Sequence, residues 1–529
     1  MGDSALTLEL GAAIDPALNR RVQALDRSLA DRPFPGFVEA VPTYRSLVIH
    51  YDPRLATFAA VREAALERLT SRDLPERASD LRLIPTLYGG EDGPDLAEVA
   101  RARGLSEADV VALHSGSDYT ALMLGFSPGF AYLGMLAESL ETPRRAAPRP
   151  RVPAGSVAIA GRQTGIYPSA TPGGWHILGR TAARVFDAAA RPPALILPGD
   201  RVRFVPVREL PSPVAPGATE PGRRTARPSL EILDGGLLTT VQDAGRISHR
   251  RLGIARCGPM DAGAHAAANA LAGNPADAAA LECTWVGPTL RFLATTVFVV
   301  TGADLSAVLH RSDLGDWPIP LGARLLARAG NVLSLSMRRA GCRAYVAFAG
   351  GIDVPEVLGS RATDIAGGFG GLEGRALRSG DMLALGPPPA RDAERSSPPD
   401  APSGPPSSPA TLRVVPGPHE DCLTHESLEL FFSSPYAVGQ ASNRTGCRLE
   451  GPRLSHRGPT EVISDGMTFG SIQVPPDGQP IVMMADGPTT GGYPQVATVV
   501  TADLPRLAQV APGEGRVRFQ AVTIEQAQA

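Results

Sequence analysis

The sequence predicts a mainly β, multidomain protein with an α+β segment at its amino end. Three observations point there. The chain has 529 residues, too many for one hydrophobic core. It carries 57 glycines and 51 prolines with only 5% aromatic residues, a composition of turns and short strands. Its apolar residues recur at helical spacing only near the start, and short β runs follow.

Residues 1–82 form the expected α+β segment. DPALNRRVQALDRSLADR sets Leu18, Val22, Leu25 and Leu29 at helical spacing; YRSLVIHYDP reads as a strand and LATFAAVREAALERLTSR as a second helix. Residues 83–210 read as short strands and Gly/Pro turns, with one helix near 95–103. The Pro-, Ser- and Ala-rich stretches 211–228 and 387–410 read as linkers or long loops. They set off two further β domains, 229–386 and 411–525, the first with a helix over 262–271.

The chain also repeats itself. GSVAI, TPGGW and LPGDRVRF in the first half match GSIQV, TTGGY and APGEGRVRF near the end. The spacing from the GS glycine to the GG glycine is 18 residues in one and 21 in the other. This predicts a duplicated β module with two equivalent GG-aromatic loops.

Charge and composition exclude several functions. The net charge of −3 gives no nucleic-acid footprint. MGDSALTLEL lacks the basic and apolar regions of a signal peptide, and no apolar run is long enough for a bilayer, so a cytoplasmic protein is expected. Five cysteines without a CxxC pair read as reduced thiols, with no zinc site. All 51 residues counted as Lys plus Arg are Arg, so there is no Schiff-base, P-loop or biotin-carrying lysine. Any phosphate must be held by Arg forks, backbone N–H groups, neutral donors or a metal.

Several stretches have chemistry to offer, each with a structural alternative. In GFSPGFAYLGML, Gly125 and Gly129 allow close backbone approach and Phe126, Phe130 and Tyr132 form an apolar wall; a buried turn explains it equally. In PRRAAPRPRVPAG, prolines stiffen a loop bearing Arg144, Arg145, Arg149 and Arg151, suited to carboxylate or phosphate, or simply a solvated basic loop. GRQTGIYPSATPGGW ends on one of only 3 Trp. VQDAGR sets Gln242, Asp243 and Arg246 around a glycine; Asp261 can cap the following helix. Glu282, within apolar ALECTW, needs a partner such as Arg246 or Arg256. Arg444 and Arg448, with Asp465, Gln473 and Asp486 near later turns, are weak candidates for holding Mg²⁺ and a nucleotide. The histidines of HEDCLTH are six apart and cannot share a helix face as in a zinc protease.

GFSPGFAYLG and PRRAAPRPRVPAGSVAIAGRQTGIYPSATPGGW resemble the B-type family of 5-oxoprolinase subunits, also called allophanate hydrolase subunit 1 or KipI. GLLTTVQDAGR, CGPMD, AANALAGN, AGGIDVPEVLGSRATD, SNRTGCRLEG, IQVPPDGQPIV and TTGGYP resemble the C-type 5-oxoprolinase subunits, or KipA. The chain resembles a fusion of the two, over about 1–210 and 229–525. The resemblance implies cyclophilin-like β-barrels, ATP and Mg²⁺ as cofactors without covalent biotin, and opening of 5-oxoproline to glutamate. It further implies a separate A-type 5-oxoprolinase partner and pairing of copies. Two alternatives come with it: a urea-carboxylase-like carboxyltransferase fed by carboxybiotin from other chains, and a regulator binding a sensor kinase. The motif positions nominate Asp243, Glu282 and Asp486 for catalysis. They nominate Gly125, Phe126, Pro128, Gly129, Tyr132, Arg144, Arg149, Gln163, Tyr167, Gly173, Gly174 and Trp175 for binding in the first half. In the second half they nominate Gln242, Arg246, Asp261, Asn443, Arg444, Gln473, Thr489, Thr490 and Tyr493; no metal-ligand set is assigned. Thr445, Cys447, Gly487 and Pro488 depart from the family pattern beside this cleft.

Overall fold

The computed structural model describes residues 1–70, 79–211, 227–388 and 408–529. Most of both expected linkers, 212–226 and 389–407, lies outside the described residues. At the amino end, strand Ser46–Tyr51 pairs antiparallel with Ala5–Glu9 and Phe37–Pro42. Helices Pro16–Asp31 and Phe58–Thr70 cover this sheet. Val22, Leu25 and Leu29 meet Leu6, Leu47 and Ile49 in its core, which is the stripe the sequence spacing predicts. Asp15 caps the first helix, accepting from Ala17 N at 2.6 Å, and Pro16 fits the first turn because it lacks an N–H.

Two closed seven-stranded barrels dominate the rest of the architecture. In the first, Leu81–Tyr88 runs parallel to Arg201–Pro206, and the ring continues through Tyr119–Leu124, Ala131–Gly134, Gln163–Ile166, Ser156–Ala160 and His176–Arg180. In the second, Ala410–Pro416 runs parallel to Arg516–Ala521, followed by Tyr436–Val438, Gly446–Glu450, Ile481–Met483, Ser471–Gln473 and Gln495–Val499. The strand order is the same in both, position for position. GSVAI and GSIQV supply equivalent strands, as do the two RVRF segments. The duplicated module is therefore real at the level of topology. The helix expected near 95–103 is Leu96–Arg103. A second, Glu107–Ser115, was not expected; the capping box between Ser106 and Asp109 is its local signal.

Between the barrels, a seven-stranded and a five-stranded sheet share a core that includes Ile232, Leu290 and Phe292 from one and Leu281, Phe298 and Val346 from the other. Helix Ala262–Ala272 packs Ala264, Ala268 and Ala272 onto the outer face of the smaller sheet. Closed barrels leave no exposed edge, which lets short strands rich in Gly and Pro hold together. All five cysteines are unpaired. Among the described residues no helix is long and apolar enough to cross a membrane.

Candidate functional site

The loop 125–129 joins two strands of the first barrel and presses against the second half. Gly125 N donates to Phe130 O at 3.1 Å and Ser127 N to Gly125 O at 2.7 Å, closing a tight turn with Phe126 at φ 64°. A side chain on Gly125 would collide with Thr490 Oγ1, so only glycine permits this approach. Thr490 Oγ1 accepts from Phe126 N at 3.2 Å and lies beside the Tyr132 hydroxyl. Gly129 N donates to Leu252 O at 3.0 Å. Two blocks far apart in sequence, GFSPGF and TTGGYP, thus meet at one junction, with Pro128 partly exposed and the Phe126 ring 39% exposed at its mouth.

Beneath that ring lies an aromatic layer. Phe130 makes edge contacts with Phe126, Tyr132, Tyr167 and Trp175 at centroid distances of 4.9–5.5 Å. Trp175 is 5% exposed and also packs on Tyr132, so it plugs this layer and does not wall an open cleft, as its place after a glycine pair suggests. Gly173 lets the Tyr167 hydroxyl sit where a Cβ would be, and Gly174 O accepts from Arg145 N at 2.9 Å. Burial raises the Tyr132 and Tyr167 hydroxyls to about 12, so both stay neutral donors at ordinary pH. Gln163 lies beside the buried Tyr44 hydroxyl at the same layer.

The two arginines nominated from the proline-rich loop part ways. Arg149 grips Asp95 with bonds of 2.9 and 2.6 Å, and Arg145 adds a third at 3.0 Å. Asp95 also accepts from Ile177 N at 2.7 Å. Arg149 is therefore a strut and is not free for a ligand. Arg144 is exposed and makes no hydrogen bond or ion pair among the described residues. It lies near enough to Tyr44, Tyr132 and Tyr167 to influence all three. Asp95, Glu98 and His176 bring ligand atoms together, but two guanidiniums already neutralise Asp95.

The second-half candidates resolve mostly into buried braces. Arg444 donates to Asp486 at 2.9 and 2.7 Å, to Gly258 O at 2.7 Å and to Glu282. Glu282 also accepts from Met260 N at 2.8 Å and the Tyr345 hydroxyl at 2.7 Å. The partner of Glu282 is thus Arg444, not Arg246 or Arg256. Burial opposes the charge on Glu282, yet Arg444, Arg343 and these donors hold its pKa below the usual range. Burial likewise opposes the Arg444 charge, and Asp486 and Glu282 more than offset it. Both carboxylates are clamped on the one Arg444 guanidinium and are under a tenth exposed, so Glu282 and Asp486 serve as braces and not as an acid or base on a substrate.

Asp243 is also occupied, accepting from Gly245 N at 2.9 Å, Ser360 Oγ at 2.6 Å and Arg361 N at 2.5 Å, although it borders a cavity of about 490 Å³ with Arg191, His249 and Asp277. Arg246 is held by the carbonyls of Val357 and Ala362 and over the Phe369 ring at 4.8 Å. Gln242 bridges Thr240, Thr363 O and Gly258 N. Asp261 caps its helix through Ala264 N and takes Gln509 on its other oxygen. Asn443 folds its own turn, accepting from Thr445 N and Gly446 N. Gln473 donates to Tyr493 O at 3.1 Å, shaping the loop behind Thr490. Thr489 is buried with its hydroxyl unpartnered, beside Arg256, Gly487 and Pro488. Arg256, which the sequence offers as a partner for Glu282, is instead a neighbour of Thr489. It stands next to Arg250; its carbonyl accepts from Arg246 N at 2.7 Å, while its guanidinium makes no hydrogen bond or ion pair among the described residues.

Comparisons with known proteins agree with this two-part layout. Residues 1–196 match the family model for carboxyltransferase domain, subdomain C and D, and residues 252–521 that for subdomain A and B. The chain is similar to the C subunit of 5-oxoprolinase from Escherichia coli (strain K12), 41% identical over 298 residues, covering 56% of this chain and 93% of the relative. It is similar to the B subunit of 5-oxoprolinase from Bacillus subtilis (strain 168), 40% identical over 225 residues, covering 40% of this chain and 92% of the relative. Among solved structures, that of TTHA0988 superposes with a TM-score of 0.85 at 36% identity over 98% of this chain and 99% of that one. Kluyveromyces lactis urea carboxylase superposes with a TM-score of 0.51 at 32% identity over 57% of this chain, but only 28% of its own length.

Proposed function

The chain belongs to the carboxyltransferase-domain family, and on that premise we propose that it is the fused B and C component of an ATP-dependent 5-oxoprolinase acting with a separate A-type partner. The observation that carries this reading is the junction itself. Thr490 of the C-like half completes the turn of the Phe126 loop in the B-like half, so the site exists only when both are present. 5-Oxoproline is a small flat lactam ring bearing one carboxylate. The exposed Phe126 ring offers it an apolar face and the unpaired fork of Arg144 its carboxylate partner. A lactam carbonyl is a poor electrophile, and ATP supplies activation by phosphorylating its oxygen.

The carboxylates nominated for Mg²⁺ and for catalysis are already engaged and do not fit a metal; Asp465 accepts from Ser46 Oγ, and from Gly466 N at 2.7 Å. Asp243 is engaged by backbone donors and a serine, and Glu282 and Asp486 by Arg444. On this reading the metal and the phosphoryl chemistry fall to the partner, while this chain binds and orients the lactam. Replacing Arg144 by Ala in the reconstituted pair is expected to lower kcat/KM for 5-oxoproline at least ~tenfold, mainly through KM, with an unchanged melting temperature. An unchanged KM removes Arg144 from the site.

The superposition on urea carboxylase supports a second reading, transfer of a carboxyl group from carboxybiotin supplied by other chains. Biotin-dependent carboxylation of urea, without glutamate release from 5-oxoproline, distinguishes it.

A further inference from the structure

The first half carries another concavity, away from the junction. It lies between one face of helix Pro16–Asp31, from Pro16 to Arg27, and the rim of the first barrel, with a volume of about 600 Å³. Arg20, Arg21, Arg27 and Arg201 line it, with Ser79 and Thr120, and among the described residues its lining contains no Asp or Glu. Arg20 and Arg21 are exposed and form no ion pair among the described residues. Arg201 pairs with Asp118, which shares its charge with Arg203 as well. The helix end adds little, because Asp15 already accepts from Ala17 N and Leu18 N; recognition rests on the guanidiniums.

Arg27 already offsets the buried Asp26, but the adjacent, exposed Arg20 and Arg21 repel each other, and a ligand with several negative charges relieves both together. A single carboxylate would neutralise one. The volume is that of a small-molecule site. An extended nucleic acid is disfavoured, since the charge is gathered in a hollow of a chain whose net charge is −3. Arg forks match phosphate oxygens geometrically, and Ser79 and Thr120 add neutral donors. We propose that this cavity binds a phosphate chain, that of a nucleoside triphosphate or of inorganic polyphosphate.

The cavity and the junction stand back to back. Asn19, on the cavity's inner wall, donates to Thr43 O at 2.9 Å, Tyr44 O at 3.2 Å and Leu122 O at 2.9 Å. On the far side Tyr44 packs edge-on against Tyr132 at 5.8 Å. A phosphate chain bound here is therefore separate from the lactam site, and the proposal does not rest on the oxoprolinase reading.

The test is calorimetric titration of the full chain, without substrate or partner, using tripolyphosphate, ATP and glutarate as a dicarboxylate control. Saturable binding of tripolyphosphate is expected, much weaker for glutarate, and falling as salt rises. The double variant Arg20→Gln/Arg21→Gln is expected to weaken it at least ~tenfold with an unchanged melting temperature, whereas Arg144→Ala leaves it intact. ATP binding as tightly as tripolyphosphate shows that the chain of phosphates is read, whichever its source. No saturable binding of tripolyphosphate, binding undiminished in the double variant, or binding of ATP alone each overturns the proposal.

Discussion

At the scale of single residues, burial separates braces from side chains left open to a ligand. Arg144 and Arg149 sit five residues apart in one stiff loop, yet one faces solvent unpaired and the other is clamped to Asp95. Sequence alone treats them alike because Asp95 is 54 positions from Arg149. The same distance effect hid the Glu282–Arg444 pair, whose members are 162 residues apart. Asp364 shows burial acting on one carboxyl. It is 2% exposed, with one oxygen accepting from Gly367 N and the other unpartnered. Burial raises its pKa to about 6, with Asp486 adding and Arg246 and Arg444 opposing. A carboxyl raised in the folded state contributes stability that is complete below its unfolded pKa near 3.8 and lost as pH rises through about 6. Asp364→Asn is therefore expected to melt higher than the parent at pH ~7.5, by at most about 3 kcal/mol of stability, with the gap shrinking as pH falls toward ~5. Thermal denaturation across that range checks it; a gap that grows in acid refutes it.

At the scale of elements, the helices and turns were largely legible and the role of the aromatic loop was not. The spacing of Val22, Leu25 and Leu29 gave away the first helix because one buried stripe is a local signal. Whether Trp175 faces a ligand or a neighbour depends on where Phe130 and Tyr132 fold, which no local pattern reveals. Trp175→Ala removes the plug from a close-packed layer and is expected to destabilise the protein by about 3–5 kcal/mol. Phe126→Ala, by contrast, trims a ring at the mouth and is expected to change melting little while raising KM for the substrate. Differential scanning fluorimetry beside steady-state kinetics separates the two; equal melting losses would mean Phe126 is also a plug.

At the scale of the whole molecule, the two barrels repeat one strand order, and the contacts between halves are many. Ser46 bonds to Asp465, Arg251 pairs with Asp26 at 2.5 Å, and Gln528 reaches Asp3 O at 2.9 Å and the Tyr51 hydroxyl at 2.8 Å. The repeat was visible as matching GS, GG and RVRF segments because closed barrels reuse turn chemistry at fixed places. The way the halves dock was not visible, since it depends on pairs such as Phe126 and Thr490, 364 residues apart. That docking is the physical content of a B–C fusion, and the proposed lactam site depends on it. Glutamate release from 5-oxoproline with ATP and Mg²⁺, measured with and without an A-type 5-oxoprolinase protein, tests this most directly. Glutamate formed only when both proteins and ATP are present is the expected result. No glutamate from this chain with a partner shown to be competent in its own complex would contradict it.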